Sequence, residues 1–298
     1  MENWIAVDWG TTNFRAYFMD HEMSVIDRID SDQGLLSIKE KDFADTLLNN
    51  IQQWQCSTDL ASTPIYMAGM VGSKQGWKEA NYLSMPLNLS EIPHHLLTFK
   101  LPWEAPAFIV PGISGMNKLG MYDVMRGEET QLLGLQRILN QENIAAILPG
   151  THSKQVVIEK GKMNTFISIM TGELFSLLNQ HSILTKDVPQ KYDDHDSFLF
   201  GVKNGYNYPL NAILFSARTL SLNSMLSPTQ IRSYLSGLLI GNEINLLGEY
   251  DQYYIIGNST LSQKYLDASL SVGKKAEIID GEQCFIKGIS YIHQHTHN

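Results

Sequence analysis

The sequence predicts an α/β fold built from two similar halves. Short apolar runs of strand length alternate with segments whose apolar residues recur at helical spacing. Each half opens in the same way, with a strand, a turn containing glycine and threonine, and a hairpin, at residues 4–20 and 144–169. The 298 residues are enough for two domains of ordinary size. We therefore expect one domain over residues 1–125 and a second over residues 126–298.

The first half is predicted to be rich in strands. "WIAVDW" is an apolar run of strand length, and "FRAYFMD" and "MSVIDRID" follow it as two short runs joined by a tight turn. "FADTLLNNIQQW" has its apolar residues at helical spacing. Two further strands are expected at "PIYMAGM" and "AFIVPG", with a polar, glycine-rich loop, "VGSKQGWKEANYLSMP", after the first of them.

The second half is predicted to become mainly helical. "RGEETQLLGLQRIL" should form a helix with acids in its first turn, where the helix dipole favours them. Three strands are then expected over residues 143–170. Further helices are predicted at residues 172–184, 197–206, 211–222 and 229–247. The chain should close with a strand, glycine turn and helix over 253–270, a strand at 275–280 and a helix at 282–293.

Composition and charge exclude some classes of binding protein. The net charge of −9 argues against general binding to nucleic acid or to anionic membranes. Two cysteines without metal spacing suit a reducing compartment, and neither a signal peptide nor a membrane span is apparent. We expect a cytoplasmic protein. The oligomeric state is not fixed by the sequence, and a homodimer is compatible with it.

The stretch "DWGTTN" follows the first predicted strand. Gly10 would let a phosphate approach the backbone, and Thr11, Thr12 and Asn13 would supply hydrogen-bond donors. Asp8 would repel a phosphate but could hold Mg²⁺, which is usually bound by one or two carboxylates together with substrate phosphates. The alternative is an Asp-Gly turn with hydroxyl capping and no ligand.

A second stretch of similar type is "PGTHSK". Gly150 and Thr151 again follow an apolar strand, and Ser153 and Lys154 add a hydroxyl and an amine that suit phosphate oxygens. The alternative is a polar turn. A third glycine turn, at Gly257 and Asn258 in "IIGNST", stands between a strand and a helix, where it could hold an adenosine and nearby phosphates.

The stretch "RGEET" places two glutamates side by side. Glu128 and Glu129 should point about 100 degrees apart on a helix, so they cannot both face one site. Solvated acids in a first helical turn are the plain alternative. Arg126, just before them, could hold a substrate anion or pair with a glutamate.

Together these residues resemble a known family. "VDWGTTNFRA", "GTHSK" and "IIGNS" resemble the two phosphate motifs and the adenosine motif of the actin-like ATPase and sugar-kinase superfamily. "AGMVGSKQGW", "VMRGEETQLLG", "LPGTHSKQV", "MTGELFSLL" and "LSGLLIGNE" resemble 2-dehydro-3-deoxygalactonokinases, in order and over nearly the whole chain. The resemblance implies two ribonuclease-H-like domains with a central cleft for ATP and Mg²⁺. It also implies γ-phosphoryl transfer to the 6-hydroxyl of 2-dehydro-3-deoxy-D-galactonate.

The resemblance also suggests a catalytic base. Many sugar kinases of the superfamily carry an aspartate on the helix before the second phosphate loop, and "RGEETQLLG" occupies the matching place with glutamates. We expect Glu128 to be the base and Glu129 to be the second choice. Asp8 is an alternative acid, although we expect it to bind magnesium.

A carboxylate substrate would need a local cation in this acidic chain. Lys74, Lys78 and Arg126 are the candidates, and Arg15 and Lys154 are weaker ones. Each could instead be an ordinary surface residue. Trp77 could form a wall beside the sugar or could simply pack.

Overall fold

The structure, a computed structural model, describes residues 3–38, 42–186, 188, 193–257 and 259–296. The chain divides into two compact units. The first unit contains Met1–Asn143, Ile158–Thr165 and Gly281–Asn298, and the second contains Ile144–Val157 and Phe166–Asp280.

The described residues contain strands and α-helices joined by loops and turns. The strands are β1 (Trp4–Trp9), β2 (Phe14–Met19), β3 (Val25–Ser31), β4 (Ile65–Gly69), β5 (Tyr82–Ser84), β6 (Leu87–Asn88), β7 (Leu97–Lys100), β8 (Pro106–Ile109), β9 (Gly112–Met116), β10 (Tyr122–Met125), β11 (Ile144–Leu148), β12 (Ser153–Glu159), β13 (Lys162–Ile169), β14 (Tyr253–Ile256) and β15 (Ala276–Ile279). The helices are α1 (Phe43–Ile51), α2 (Glu128–Leu139), α3 (Thr171–His181), α4 (His195–Asn207), α5 (Leu210–Ile213), α6 (Ser216–Leu222), α7 (Ile231–Asn245), α8 (Thr260–Ser271) and α9 (Gly281–His295).

The first unit is built on a six-stranded sheet in the order β3-β2-β1-β4-β8-β7. Strands β1, β2 and β3 pair antiparallel, whereas β4 pairs parallel with both β1 and β8. Strand β1 is buried on both faces, which explains its nearly continuous apolar sequence. A smaller sheet has the order β10-β9-β5. The carboxyl ends of β1 and β4 therefore lie side by side, where their following loops meet.

Helix α9 belongs to the first unit although it comes last in the chain. It packs against α2 at two glycines, Gly134 and Gly288. A Cβ atom on Gly134 would lie 1.7 Å from the carbonyl oxygen of Cys284, and one on Gly288 would lie 2.0 Å from that of Thr130. Only glycine permits so close an approach of two helix backbones. The first compact unit thus includes residues beyond 125, among them α2 and α9. The division into functional domains at residues 125 and 126 stays a prediction.

A further sheet has the order β15-β14-β11-β12-β13-β6, and its strands β11, β14 and β15 belong wholly to the second unit. Strand β14 pairs parallel with β11 and β15. Helices α4 and α7 pack closely in this unit, with Gly201 and Gly205 on α4 facing Gly237 and Gly241 on α7. Added Cβ atoms at these four positions would lie within 2.0–2.2 Å of a facing carbonyl oxygen.

The structure confirms the α/β class and most of the predicted elements. One predicted helix is broken, because residues 211–222 divide into α5 and α6. There the Ser216 hydroxyl donates to the carbonyl of Ile213 at 2.6 Å, which competes with the helical hydrogen-bond ladder. Strands β5, β6, β7, β9 and β10 are not predicted, because runs of two to five residues are too short to carry a clear periodic signal.

Within the described part of the chain, no helix has the length and apolar character that a membrane span requires.

Candidate active site

The first candidate half-site lies at the carboxyl end of β1. Asp8 is half-buried there, with 30% of its side chain exposed, and stands opposite Arg15 on β2. The Arg15 Nη1 atom lies 3.5 Å from Oδ2 of Asp8. A carboxylate at this strand end is therefore accessible and weakly paired.

The loop after β1 holds the predicted phosphate contacts. Gly10 is half-buried, whereas Thr11, Thr12 and Asn13 are exposed. Backbone N–H groups of residues 34–36 donate to the carbonyls of residues 10–12 at 3.0–3.2 Å. The carbonyl oxygens are thus occupied by the neighbouring segment, and three polar side chains are presented to solvent on a supported loop.

Two glycines bring further backbone close to Asp8. Gly69 ends β4 with a φ of 96°, and an added Cβ there would lie 2.7 Å from the carbonyl oxygen of Trp9. Gly127 precedes α2 with a φ of 108°, and its Cβ would lie 3.3 Å from the Cα of Gly69. Both positions require the left-handed region that favours glycine. This close approach places the start of α2 beside the end of β1.

The two glutamates of α2 occupy different surroundings. Glu128 is half-buried, and its Oε2 atom accepts the Arg126 backbone N–H at 3.1 Å. Glu129 is fully buried, and its Oε2 atom accepts the Gly127 N–H at 2.6 Å. Burial, reinforced by the charge of Glu128, raises the pKa of Glu129 to about 8. Of the two glutamates, Glu128 alone is partly exposed.

The charge of Glu128 acts on Asp8. Desolvation raises the pKa of Asp8, the nearby Arg15 lowers it, and the charge of Glu128 raises it further. Two carboxylates that affect each other in this way disfavour double ionisation unless a cation accompanies them.

The segment after β4 contains the predicted sugar-acid contacts. Lys74 and Lys78 are exposed, and Lys78 Nζ lies 4.9 Å from the centroid of the Phe99 ring. Trp77 is half-buried and stacks on Phe43 with ring centroids 6.1 Å apart. Trp77 thus packs onto the core of the first unit, and its role as a wall beside the sugar stays a prediction.

Arg126 is buried rather than exposed. It retains 9% exposure, donates from Nη2 to the carbonyl of Ala80 at 2.7 Å, and stacks over the Tyr82 ring at 4.3 Å. An added Cβ on Gly72 would lie 2.9 Å from Nη1 of Arg126. The guanidinium therefore fastens the segment 72–82, which carries both lysines.

The second candidate half-site is the loop after β11. Gly150 is half-buried and Thr151 is exposed. The start of α3 packs directly on this loop, because a Cβ on Gly172 would lie 2.4 Å from the Gly150 carbonyl oxygen. The Glu173 N–H also donates to the Thr151 carbonyl at 3.0 Å.

Ser153 and Lys154 are both buried, in contrast to Thr151. Ser153 is fully buried, and its hydroxyl donates to Oε1 of Glu243 at 2.6 Å. Lys154 is 5% exposed, and its Nζ donates to the His152 carbonyl at 3.1 Å. Gly150 and Thr151 are thus the accessible members of the predicted phosphate set.

A cavity of about 270 Å³ lies next to Gly150 in the second unit. Its walls combine apolar side chains with hydroxyl groups and one ammonium group. The lining residues are Gly150, Thr171, Gly172, Phe175, Ser236, Leu239, Ile240, Thr260, Leu261, Lys264 and Tyr265. Gly257 follows β14, the strand that precedes α8, and α8 supplies four of these residues. The adjoining prediction, Asn258, falls outside the described residues.

Several residues of this region were missed by the sequence reasoning. Thr171 and Glu243 lie within "MTGELFSLL" and "LSGLLIGNE", two stretches that resembled the family but were given no role. A threonine before a helix and a glutamate inside an apolar helix are each weak signals alone. Gly69 and Gly127 were missed for the same reason, because a positive φ is not visible in sequence.

The carboxylates Asp8 and Glu128 suit Mg²⁺, which also binds water and substrate phosphates, better than a metal ion whose ligands all come from the protein. Among the described residues, no three His, Cys, Asp or Glu side chains are grouped closely enough to form a metal cage. Mg²⁺ commonly keeps several waters and takes one or two carboxylates together with substrate phosphates. Asp8, with Glu128 nearby, fits that requirement.

Two sheet-based units, each with a glycine-threonine loop after a buried strand, define the two-domain fold of sugar kinases and actin-like ATPases, as predicted. The family model described as 2-keto-3-deoxy-galactonokinase matches residues 8–292. This chain belongs to that family.

Individual relatives agree with this assignment. The chain is 33% identical over 294 residues to the 2-dehydro-3-deoxygalactonokinase of Escherichia coli strain K12, covering 97% of each. A crystal structure of a candidate 2-dehydro-3-deoxygalactonokinase from Sinorhizobium meliloti has a TM-score of 0.89 and 32% identity, covering 98% of this chain and 96% of that one. Component A of the (R)-2-hydroxyglutaryl-CoA dehydratase of Acidaminococcus fermentans shares only the fold, with a TM-score of 0.53, 12% identity and full coverage of both chains.

Proposed function

We propose that this chain is a sugar-acid kinase. It would transfer the γ-phosphoryl group of ATP to the 6-hydroxyl of 2-dehydro-3-deoxy-D-galactonate, in the cytoplasm. The observation that carries the proposal is the pair Asp8 and Glu128 beside the supported loop 10–13, in a chain of the 2-keto-3-deoxy-galactonokinase family.

The two loops supply the contacts for the phosphates in this proposal. Phosphoryl transfer depends mainly on positioning and on neutralising charge, because the protein forms no covalent bond to the phosphoryl group. Exposed Thr11, Thr12 and Asn13, together with Gly150 and Thr151, are the groups proposed to bind phosphate oxygens. The apolar cavity beside Gly150 would receive the adenosine, because Phe175 and Leu239 offer flat and aliphatic surface to a base.

Glu128 is the proposed general base. It would accept the proton of the 6-hydroxyl while that oxygen forms a bond to the γ-phosphorus and the bond from phosphorus to the ADP oxygen breaks. Its exposure supports this role, and the burial of Glu129 argues for a supporting one. Asp8 would hold Mg²⁺, which, when bound, neutralises negative charge on the phosphates.

The carboxylate of the substrate requires a cation. Lys74 and Lys78 are the accessible choices on the segment after β4. Arg126 would act by fixing this segment through its bond to the Ala80 carbonyl. Electrostatic attraction by two lysines would favour sugar acids over neutral sugars of similar size.

Product analysis tests the proposal. The full chain should be incubated with ATP, Mg²⁺ and 2-dehydro-3-deoxy-D-galactonate, and the products examined by mass spectrometry and phosphorus NMR. We expect ADP and a sugar acid phosphorylated at the 6-position. ATP consumption that does not depend on the sugar acid would indicate a hydrolase instead, and phosphorylation of only a different sugar would refute the substrate assignment.

A further inference from the structure

A buried carboxylate in the second unit has no part in the chemistry proposed above. Glu243 lies on α7 with 1% of its surface exposed. Three hydroxyl groups donate to its two oxygens. Ser153 donates to Oε1 at 2.6 Å, Tyr265 donates to Oε2 at 2.5 Å, and Thr171 also donates to Oε2.

These donors come from three separate elements. Ser153 begins β12, Thr171 begins α3, and Tyr265 lies on α8. The Gln155 side chain also donates to the Glu243 backbone carbonyl at 2.8 Å. One residue on α7 therefore joins β12, α3 and α8 to its own helix.

The joined elements are those that frame the cavity beside Gly150. Thr171 and Tyr265 line the cavity directly. Ser153 follows the loop of Gly150 and Thr151, and Thr171 precedes Gly172, whose backbone touches that loop. A shift of the Glu243 side chain would therefore move both the loop and the cavity wall.

A carboxylate is suited to this position because it only accepts hydrogen bonds. All three hydroxyl protons must point towards Glu243, which fixes the orientation of each hydroxyl. Burial disfavours a charged group, and donors from several elements offset that cost. Burial accordingly raises the pKa of Glu243, and the hydrogen bonds from Ser153, Thr171 and Tyr265 oppose this rise.

We propose that Glu243 is a positioning residue for the nucleotide. It holds Ser153, Thr171 and Tyr265 in one arrangement and so fixes the shape of the cavity and of the loop that binds phosphate. This inference rests on the proposed function, because it takes the cavity to be the ATP site. It adds a residue that contacts neither ATP nor the sugar acid.

The substitution Glu243→Gln tests this role. Glutamine has the same shape, but its amide nitrogen cannot accept a hydrogen bond, so at least one hydroxyl must turn away. We expect the KM for ATP to rise about 10- to 100-fold, as small displacements of bound groups can cause. The KM for the sugar acid should stay unchanged, and ATP binding measured by calorimetry should weaken by the same factor.

Val202→Ala is the matched control. Val202 is fully buried on α4 and packs in the core of the second unit with Ile240 and Ile244 of α7. Its truncation should lower the thermal stability of this unit without disturbing the hydroxyls around Glu243. Equal ATP affinity in Glu243→Gln and Val202→Ala would show that Glu243 is merely structural and would overturn the proposal.

A second variant covers the case in which Glu243→Gln does not fold. Ser153→Ala removes one donor, and Ser153 is not part of the cavity lining. ATP should bind more weakly to it than to Val202→Ala, and equal binding would again overturn the role of Glu243. A failure of the proposed function can be told apart from a failure of this inference. In the first case the wild-type chain leaves the sugar acid unphosphorylated, whereas in the second only the expected effect of the variants on ATP binding is absent.

Discussion

Three carboxylates of the first unit lie close in sequence or space but have different surroundings. Asp8 is partly exposed at a strand end, Glu128 is half-buried at the start of α2, and Glu129 is fully enclosed. Adjacent residues on a helix point in different directions, so one glutamate can face solvent while the next faces the core. These differences at the residue scale lead to two predictions.

Replacing Glu128 by glutamine should remove the base. We expect kcat to fall by about 10²- to 10⁴-fold, because a positioned base contributes a factor of this size. The KM for ATP should change little. Steady-state measurement of ADP release at saturating sugar acid gives the result, with circular dichroism to confirm folding. A rate near that of the wild type would remove Glu128 from the mechanism.

Replacing Glu129 by glutamine should change the pH dependence of stability. The folded-state pKa of about 8 exceeds the ordinary value of 4.5, so between these pH values the folded chain retains a proton that the unfolded chain has lost. Wild-type stability should therefore fall as pH rises through this window, by at most about 1.4 kcal/mol per pH unit for one proton. Glutamine removes this titration and can still accept the Gly127 N–H.

Urea unfolding of both proteins at pH 5 and pH 8 provides the measurement. The stability of Glu129→Gln relative to wild type should increase from the lower pH to the higher one. A difference that is constant with pH would mean that Glu129 is ionised at both values.

At the scale of elements, glycines decide where backbones touch. Gly172 seats α3 on the loop of Gly150 and Thr151, and Gly205 lets α4 approach α7. An added methyl group would collide with a carbonyl oxygen at either position, at 2.4 Å and 2.0 Å respectively. Both substitutions place a methyl group against a backbone carbonyl. The contact at Gly172 is with the proposed phosphate loop, whereas the contact at Gly205 is with Leu238 of α7.

Gly172→Ala should therefore weaken ATP binding, whereas Gly205→Ala should not. Both variants should be less stable than wild type by about 1–3 kcal/mol, the usual cost of overpacking. We expect the KM for ATP to rise about tenfold or more only in Gly172→Ala. Kinetics at varied ATP, together with thermal unfolding, measure the two effects. Equal KM values in both variants would argue against contact between this loop and ATP.

At the scale of the whole molecule, chain order and structural unit differ. Helix α9 comes last in the chain but packs on α2 in the first unit. His293 of α9 stacks on Trp4 of β1, with ring centroids 4.3 Å apart. All five tryptophans lie in the first unit. Tryptophan fluorescence therefore reports the unfolding of the first unit alone.

Removing residues 281–298 should destabilise the first unit. The deletion exposes the apolar face of α2 and the Trp4 ring, so we expect the cooperative fluorescence transition in urea to be lost or to move to much lower urea. Removing only residues 296–298 serves as the control and should leave the transition in place. An unchanged transition in the longer deletion would mean that α9 contributes little to this unit.

Much of the fold could be predicted from the sequence, whereas the site residues stay candidates. Asp8, Gly10 and Thr11 are candidates because a buried strand leaves a continuous apolar run that makes the polar turn after it conspicuous, and their roles stay predictions. Glu128 is preferred over Glu129 through the family resemblance, and this choice stays a prediction for a residue that is half-buried. The inward orientation of Ser153 could not be predicted, because its partner Glu243 lies 90 residues away in the chain.

The sequence by itself determined the α/β class, the order of strands and helices, and the two glycine-threonine loops. These features depend on local periodicity and on turn chemistry, which neighbouring residues specify. The tertiary structure decided which polar side chains are buried, that Arg126 fastens a loop, and that α9 completes the first unit. Such features arise from contacts between segments that are distant in the chain, and the residues next to a position in the sequence do not specify those contacts.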